Sequence, residues 1–249
     1  MPAVAIALAA AIAIPGAALA GKKAVSGQQT LQIKARLTPS GSGATRVKFG
    51  FRYDYRSTHP GQQPPYNAKQ ITLFMPPGLR LDPAAAPSCK RSQIDRAHGD
   101  VSKCPRRSIV GHGTVVANAT PTIAAPITGT ATIYNAVNNV GIGQPKGTRN
   151  LILWVKTSIG VNEANPFRIL KGKGGRVELQ ARLPKPKAPG VTPGSFTIQT
   201  ITLSVSHFGA KPFITNPPSC PGSWPFSLRV VNYFHQPSIT AHDRVKCSA

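Results

Sequence analysis

The sequence predicts an all-β fold, an antiparallel β-sandwich of Ig-like or jelly-roll-like pattern with one short helix inside the first cysteine loop. Three observations carry this. The 249 residues include 23 Gly and 25 Pro, near a fifth of the chain, and both residue types break helix interiors. Several strand-sized runs alternate apolar and polar residues with a period of two, the mark of a strand with one buried face. A helical period is almost absent, while turn residues separate the runs. Apolar residues make up 41% of the chain, enough for a sizeable core.

Residues 2–20 carry no charge and end Ala18-Leu19-Ala20 before Gly21, a small-x-small cleavage pattern. Residues 1–20 are read as an export signal, which leaves 21–249 as a single large domain. Basic residues ordinarily precede the apolar part of a signal, yet here Lys22 and Lys23 follow it. An uncleaved anchor and an Ala-rich tail are the alternatives, and whether the run is complete stays open. No later stretch approaches membrane-spanning length.

Leu31, Ile33, Ala35 and Leu37 alternate with Gln32, Lys34, Arg36 and Thr38; Val47, Phe49, Phe51, Tyr53 and Tyr55 alternate with Lys48, Gly50, Arg52 and Asp54. The turn-forming run Pro39-Ser40-Gly41-Ser42-Gly43 lies between, so 29–38 and 46–56 are expected as antiparallel neighbours. Further strands are expected at 69–75, 108–117, 127–136, 151–155, 177–183, 196–207, 226–234 and 238–246. Leu151 to Val155 form a continuous apolar run, which suits a strand buried on both faces. Ile198 and Ile201 lie three apart, so the buried face switches and a bulge is expected there. A helix is expected at 91–98, stopped by Gly99. The Pro-rich residues 184–189 are read as a long loop, and 184–193 is the candidate boundary should the chain divide in two.

Four cysteines in an exported chain suggest two disulfides. Cys89–Cys104 and Cys220–Cys247 close the shortest loops and are the expected pairs. Zinc sites favour Cys-x2–4-Cys pairs, and spacings of 15 and 27 residues do not supply them.

Two segments carry a resemblance. One is Ile71-Thr72-Leu73-Phe74-Met75-Pro76-Pro77-Gly78-Leu79, followed by Cys89, Cys104-Pro105 and Ser108-Ile109-Val110-Gly111-His112-Gly113. The other is Ile214-Thr215-Asn216-Pro217-Pro218-Ser219-Cys220-Pro221-Gly222-Ser223-Trp224. Together they resemble exported β-rich proteins of high-GC actinobacteria, a group without an assigned activity. The matching residues cover about a quarter of the chain and are turn and cysteine positions. The resemblance therefore implies fold and compartment, and brings no catalytic residue with it.

Little in the chain points to catalysis or to a cofactor. There is no Gly-x-Ser-x-Gly elbow, no Walker loop and no dinucleotide fingerprint; Gly141 to Gly147 has the wrong spacing and contains Pro145. Asp54 is expected to offset Arg52 and Arg56, and Glu178 to offset Arg176 and Arg182. His235, His242 and Asp243 are conceivable metal ligands, though ordinary surface histidines fit the spacing as well. His112 lies between two glycines, where a bulge is the commoner cause than a ligand. Lys171 to Arg176 reads as a solvated cationic turn with some capacity to cradle an anion. Asn118-Ala119-Thr120 is formally a glycosylation sequon.

The charge is the more informative feature. With 30 Lys+Arg against 7 Asp+Glu the net charge is +23. Strand pleating places Lys34 and Arg36 on one surface with Arg46, Lys48, Arg52 and Arg56, opposite the apolar residues. Like charges on neighbouring strands repel, and an anionic partner relieves that repulsion. The leading expectation is a non-enzymatic exported protein that contacts anionic envelope or extracellular polymers, such as cell-wall polymers or acidic polysaccharides, through this face. The first alternative is an exported hydrolase or carbohydrate-processing enzyme with a loop-built site drawing on Asp54, Glu178, His112, His235 or His242. The second is an exported nucleic-acid binder. It is less favoured because the aromatics of 47–55 point to the core and are not offered for base stacking. Oligomeric state is not encoded in these patterns.

Overall fold

The computed structural model describes residues 21–59, 68–94, 100–119, 123–137, 149–160, 162–183, 197–207 and 209–249. Its strands are β1 (Ala24–Ser26), β2 (Gln29–Thr38), β3 (Lys48–Ser57), β4 (Ala68–Phe74), β5 (Arg80–Leu81), β6 (Ile109–Ala119) and β7 (Ile123–Val137). They continue with β8 (Arg149–Thr157), β9 (Asn162–Lys171), β10 (Val177–Arg182), β11 (Thr197–Val205), β12 (Ile214–Thr215), β13 (Ser223–Asn232) and β14 (Ile239–Lys246). All paired strands are antiparallel. Twelve form one sheet in the order β1-β2-β3-β11-β6-β7-β8-β9-β10-β4-β13-β14, and β5 pairs with β12 apart from it.

The all-β antiparallel expectation holds, with one difference in architecture. The strands form a single sheet that nearly closes on itself, so β14 comes to lie beside β2. No ladder joins those two strands; side-chain hydrogen bonds bridge the seam instead, from β1 and β2 to β14 and the two residues before it. Ala35 N donates to Asp243 Oδ2 at 2.7 Å, Gln29 Nε2 to Pro237 O at 2.7 Å, and Ser26 Oγ to Ser238 O at 2.9 Å. A nearly closed sheet removes most of the exposed edge that an open one would present.

Inside the sheet lies the main core. Leu31, Ile33, Phe49, Phe51, Val115, Ile133, Leu153, Ile201, Phe226 and Leu228 are all buried there. On β6 and β7, Gly111, Gly113 and Gly129 face inward. A Cβ on Gly113 would stand 2.0 Å from Thr202 O, and one on Gly111 2.6 Å from Ser204 O, so only glycine lets these backbones approach. The expected bulge is present as a register shift between Ile198 and Thr200 in the β11–β6 pairing.

The excursion between β5 and β6 meets both faces of β7 and β8, with Pro83 to Pro87 on the core side, where Ala86 is buried, and Cys89 to Cys104 on the other. Asn135, fully buried, donates through Nδ2 to Pro83 O and Ala86 O at 2.8 Å and to Pro87 O at 3.2 Å. Cys89, Ile94, Val101 and Cys104 form a second cluster with Tyr134, Ala136 and Ile152. This is why Leu151 to Val155 reads as continuously apolar: Leu151, Leu153 and Val155 face the main core, while Ile152 faces the second cluster. Both expected disulfides, Cys89–Cys104 and Cys220–Cys247, are formed. Where a helix over 91–98 is expected, the described part holds one 3-10 turn, Arg91–Gln93, and residues 95–99 lie outside the described residues.

The candidate boundary at 184–193 also lies outside the described residues. Strands on either side of it share the sheet, since β3 and β6 pair with β11 and β4 pairs with β13. Among the described residues no helix is long and apolar enough to cross a membrane.

A basic, hydroxyl-bearing outer face

The β2–β3 hairpin pairs in full from Gln29↔Ser57 to Thr38↔Lys48. Lys34 stands directly opposite Arg52, Arg36 opposite Gly50, Lys48 opposite Thr38 and Arg56 opposite Thr30. Directly opposed residues of an antiparallel pair share a face, so these cations occupy one outer surface. Phe49, Phe51 and Tyr55 are buried on the other side. Arg46 departs from the expected pattern: it is exposed, its φ is +58°, and it precedes the first strand residue, Lys48, by two positions. It belongs to the loop entering the face and not to the pleat.

Asp54 organises part of this surface. Arg52 Nε donates to its Oδ2 at 3.0 Å, Arg56 Nη2 to its Oδ1 at 3.4 Å, and Thr200 Oγ1 to Oδ1 at 2.6 Å. Burial alone would raise the carboxyl pKa. The hydrogen bonds from Arg52 and Thr200, the Arg52 charge and the Arg56 bond outweigh it and hold Asp54 below the ordinary carboxylate value. One carboxylate thus serves two guanidinium groups. Arg36 and Lys48 form no ion pair among the described residues, so the face keeps an excess of positive charge.

Sheet order carries the same face onward. One register row runs Lys34–Arg52–Thr202–Thr114–Thr130–Lys156 across β2, β3, β11, β6, β7 and β8. The next runs Arg36–Gly50–Ser204–His112–Thr132–Trp154. With strands about 4.8 Å apart, each row spans about 24 Å. Thr114, Thr130, Thr202 and Lys156 are exposed. On the other flank, the bridge Gly41↔Ser248 and the Ala35–Asp243 bond set β14 parallel to β2. Exposed Arg244 and Lys246 therefore lie alongside Arg36 and Thr38. The sequence reading missed both extensions. The alternating Thr128, Thr130 and Thr132 are visible in it, but the insertion of β11 between β3 and β6 and the approach of β14 to β2 are long-range events.

The remaining candidates do not converge. His112 is exposed on β6, and its flanking glycines serve the close approach to β11 together with a register shift between Ile109 and Gly111. Glu178 lies on β10 and packs over Gly172; it forms no ion pair with Arg176 or Arg182 among the described residues, so the expected offset is not seen. His235 is exposed in the β13–β14 connection and His242 on the outer face of β14, whereas Asp243 points inward. Among the described residues no three His, Cys, Asp or Glu side chains are grouped to hold a metal. Asp54, Glu178, His112, His235 and His242 are spread over separate parts of the sheet and do not assemble one reaction site. Residues 171–176 form the β9–β10 turn, with Lys173, Gly174 and Gly175 exposed.

No protein-family model, curated protein or solved structure matches this chain.

Proposed function

We propose that the protein is an exported, non-enzymatic β-protein, a closed sheet flattened toward a sandwich, that holds anionic envelope or extracellular polymers on its β2–β3 face. The observation that carries the reading is the excess of cations on one surface of the β2–β3 hairpin, where Lys34, Arg36, Lys48, Arg52 and Arg56 share a face with the single carboxylate Asp54. Asp54 serves Arg52 and Arg56, while Arg36 and Lys48 form no ion pair among the described residues, and an anionic partner relieves the like-charge repulsion that is left. Cations at Lys34 and Arg52, followed around the outside of the sheet by exposed hydroxyls to Lys156 over an arc of about 24 Å, fit an extended polyanion better than a compact ligand. The two disulfides support a compartment outside the cytoplasm, as does the resemblance to exported actinobacterial proteins.

Retention on immobilised dextran sulfate tests the binding claim. The parent should be retained and should elute at a salt concentration well above that of a variant with Lys34, Arg36, Lys48 and Arg52 changed to Gln. Equal retention of the two proteins rejects the face as the docking surface. A stronger shift with duplex or single-stranded DNA than with dextran sulfate would move the reading to a nucleic-acid binder.

A further inference from the structure

At the seam between β2 and β14, the chain holds a buried carboxylate with no counter-ion among the described residues. Asp243 sits between the core residues Ala241 and Val245, is 7% exposed, and its hydrogen bond comes from Ala35 N. It forms no ion pair among the described residues. A buried carboxyl group with a single neutral partner is one that proteins ordinarily compensate with further donors or a counter-ion.

Gly21 occupies the same place. A Cβ on Gly21 would stand 2.5 Å from Ile33 O of β2, 2.8 Å from His242 O of β14, and 3.5 Å from Asp243 Cβ. Both close neighbours are backbone, so no other residue fits. Gln32 Nε2 donates to Gly21 O at 2.6 Å and fixes the residue between the two edges. Whichever way its nitrogen points, that nitrogen lies within about 8 Å of the Asp243 carboxylate, from bond lengths alone.

We propose that Gly21 is the first residue of the working protein and that its α-ammonium is the counter-charge to Asp243. The inference rests on the export reading, because an export peptidase is the agent. Hydrolysis of the Ala20–Gly21 bond by water leaves a carboxylate on Ala20 and an amine on Gly21 that takes up a proton. Before cleavage that nitrogen is a neutral amide. Afterwards it is a cation with three donors, held where β2 and β14 meet and within about 8 Å of the Asp243 carboxylate. Processing thereby completes the closure of the sheet, where no β2–β14 ladder exists to do so.

Two measurements test this. The full chain, produced in an exporting host, should be recovered outside the cell with an N-terminal sequence and intact mass that begin at Gly21. Recovery outside the cell with a different first residue overturns the inference and leaves the export reading standing; retention inside, uncut, overturns both. Separately, chains released by a site-specific protease to begin at Gly21 or at Ala20 are compared by thermal unfolding, each with and without Asp243→Asn. Keeping Ala20 should lower Tm by about 5–10 °C in the parent and by about 1 °C or less in the Asp243→Asn background. Equal losses in the two backgrounds, or no loss in the parent, overturn the pairing. Should Asp243→Asn fail to fold, the parent comparison and the mass still decide.

Discussion

Replacing Asp54 by Asn should move stability and binding in opposite directions. The carboxylate is 10% exposed at its side chain and accepts from Arg52, Arg56 and Thr200. Charge-assisted hydrogen bonds contribute about 1.5–3 kcal/mol each in sheltered sites. The Arg52 and Arg56 side chains are 38% and 54% exposed, so water screens their share heavily. A total loss of about 2 kcal/mol follows, or about 4–8 °C in Tm for a chain of this size. The same change frees two guanidinium groups on the face and should raise the salt needed to elute the protein from dextran sulfate. Its pH dependence has a defined sign. The folded pKa of Asp54 is lowered, so its stabilisation is fully present above the ordinary Asp value of about 3.9 and is lost as pH falls through the folded value. The Tm deficit of the Asn variant should therefore be full at neutral pH and shrink toward pH 2. Thermal unfolding across pH, paired with salt elution, reads both effects. An Asn variant with unchanged Tm at pH 7, or one that elutes earlier than the parent, refutes the assignment of Asp54 as a brake on a cationic face.

Two further outcomes follow from the same geometry. Gly113→Ala places a Cβ 2.0 Å from Thr202 O and should lower Tm by about 6–12 °C through overpacking; Gly50→Ala meets only ordinary contact at 3.6 Å and should leave Tm unchanged or slightly raised. Replacing Cys220 and Cys247 by Ser should cost about 3.5 kcal/mol, and Cys89 and Cys104 about 3 kcal/mol, in the chain-entropy picture for loops of 27 and 15 residues; chemical denaturation checks the order, and a larger loss at Cys89–Cys104 would contradict it.

The strands were legible where pleating alone decides side-chain direction. Residues 29–38 and 46–56 read correctly because a short turn joins them and one apolar face forces the register. The bulge near Ile198 read correctly because two core residues three apart cannot share a pleat without one. Strand β9 did not read. Its polar start and Pro166 argue against a strand, yet Pro166 pairs with Ile152 of β8 alone and lies just outside the β9–β10 ladder, which ends at Phe167, so it has no donor to supply on that side. The closure of the sheet was not legible either. It depends on β14 meeting β2 through Asp243 and Gly21, and nothing local marks those residues as partners. For the same reason the cationic hairpin was visible in the sequence, while the Thr rows of β6, β7 and β11 and the flanking Arg244 and Lys246 were not.

The most direct measurement separates a binding face from mere net charge. The salt dependence of binding to dextran sulfate is recorded for the parent, for the Lys34, Arg36, Lys48 and Arg52 to Gln variant, and for a control with Lys171, Lys173, Arg182 and Arg229 changed to Gln. The control removes equal charge from exposed positions on β9, β10, β13 and the β9–β10 turn. Counterion release predicts that the slope of log K against log salt falls by up to about 3–4 in the face variant and changes little in the control. Equal falls in both variants would contradict the account and reduce the basic surface to a property of the whole molecule.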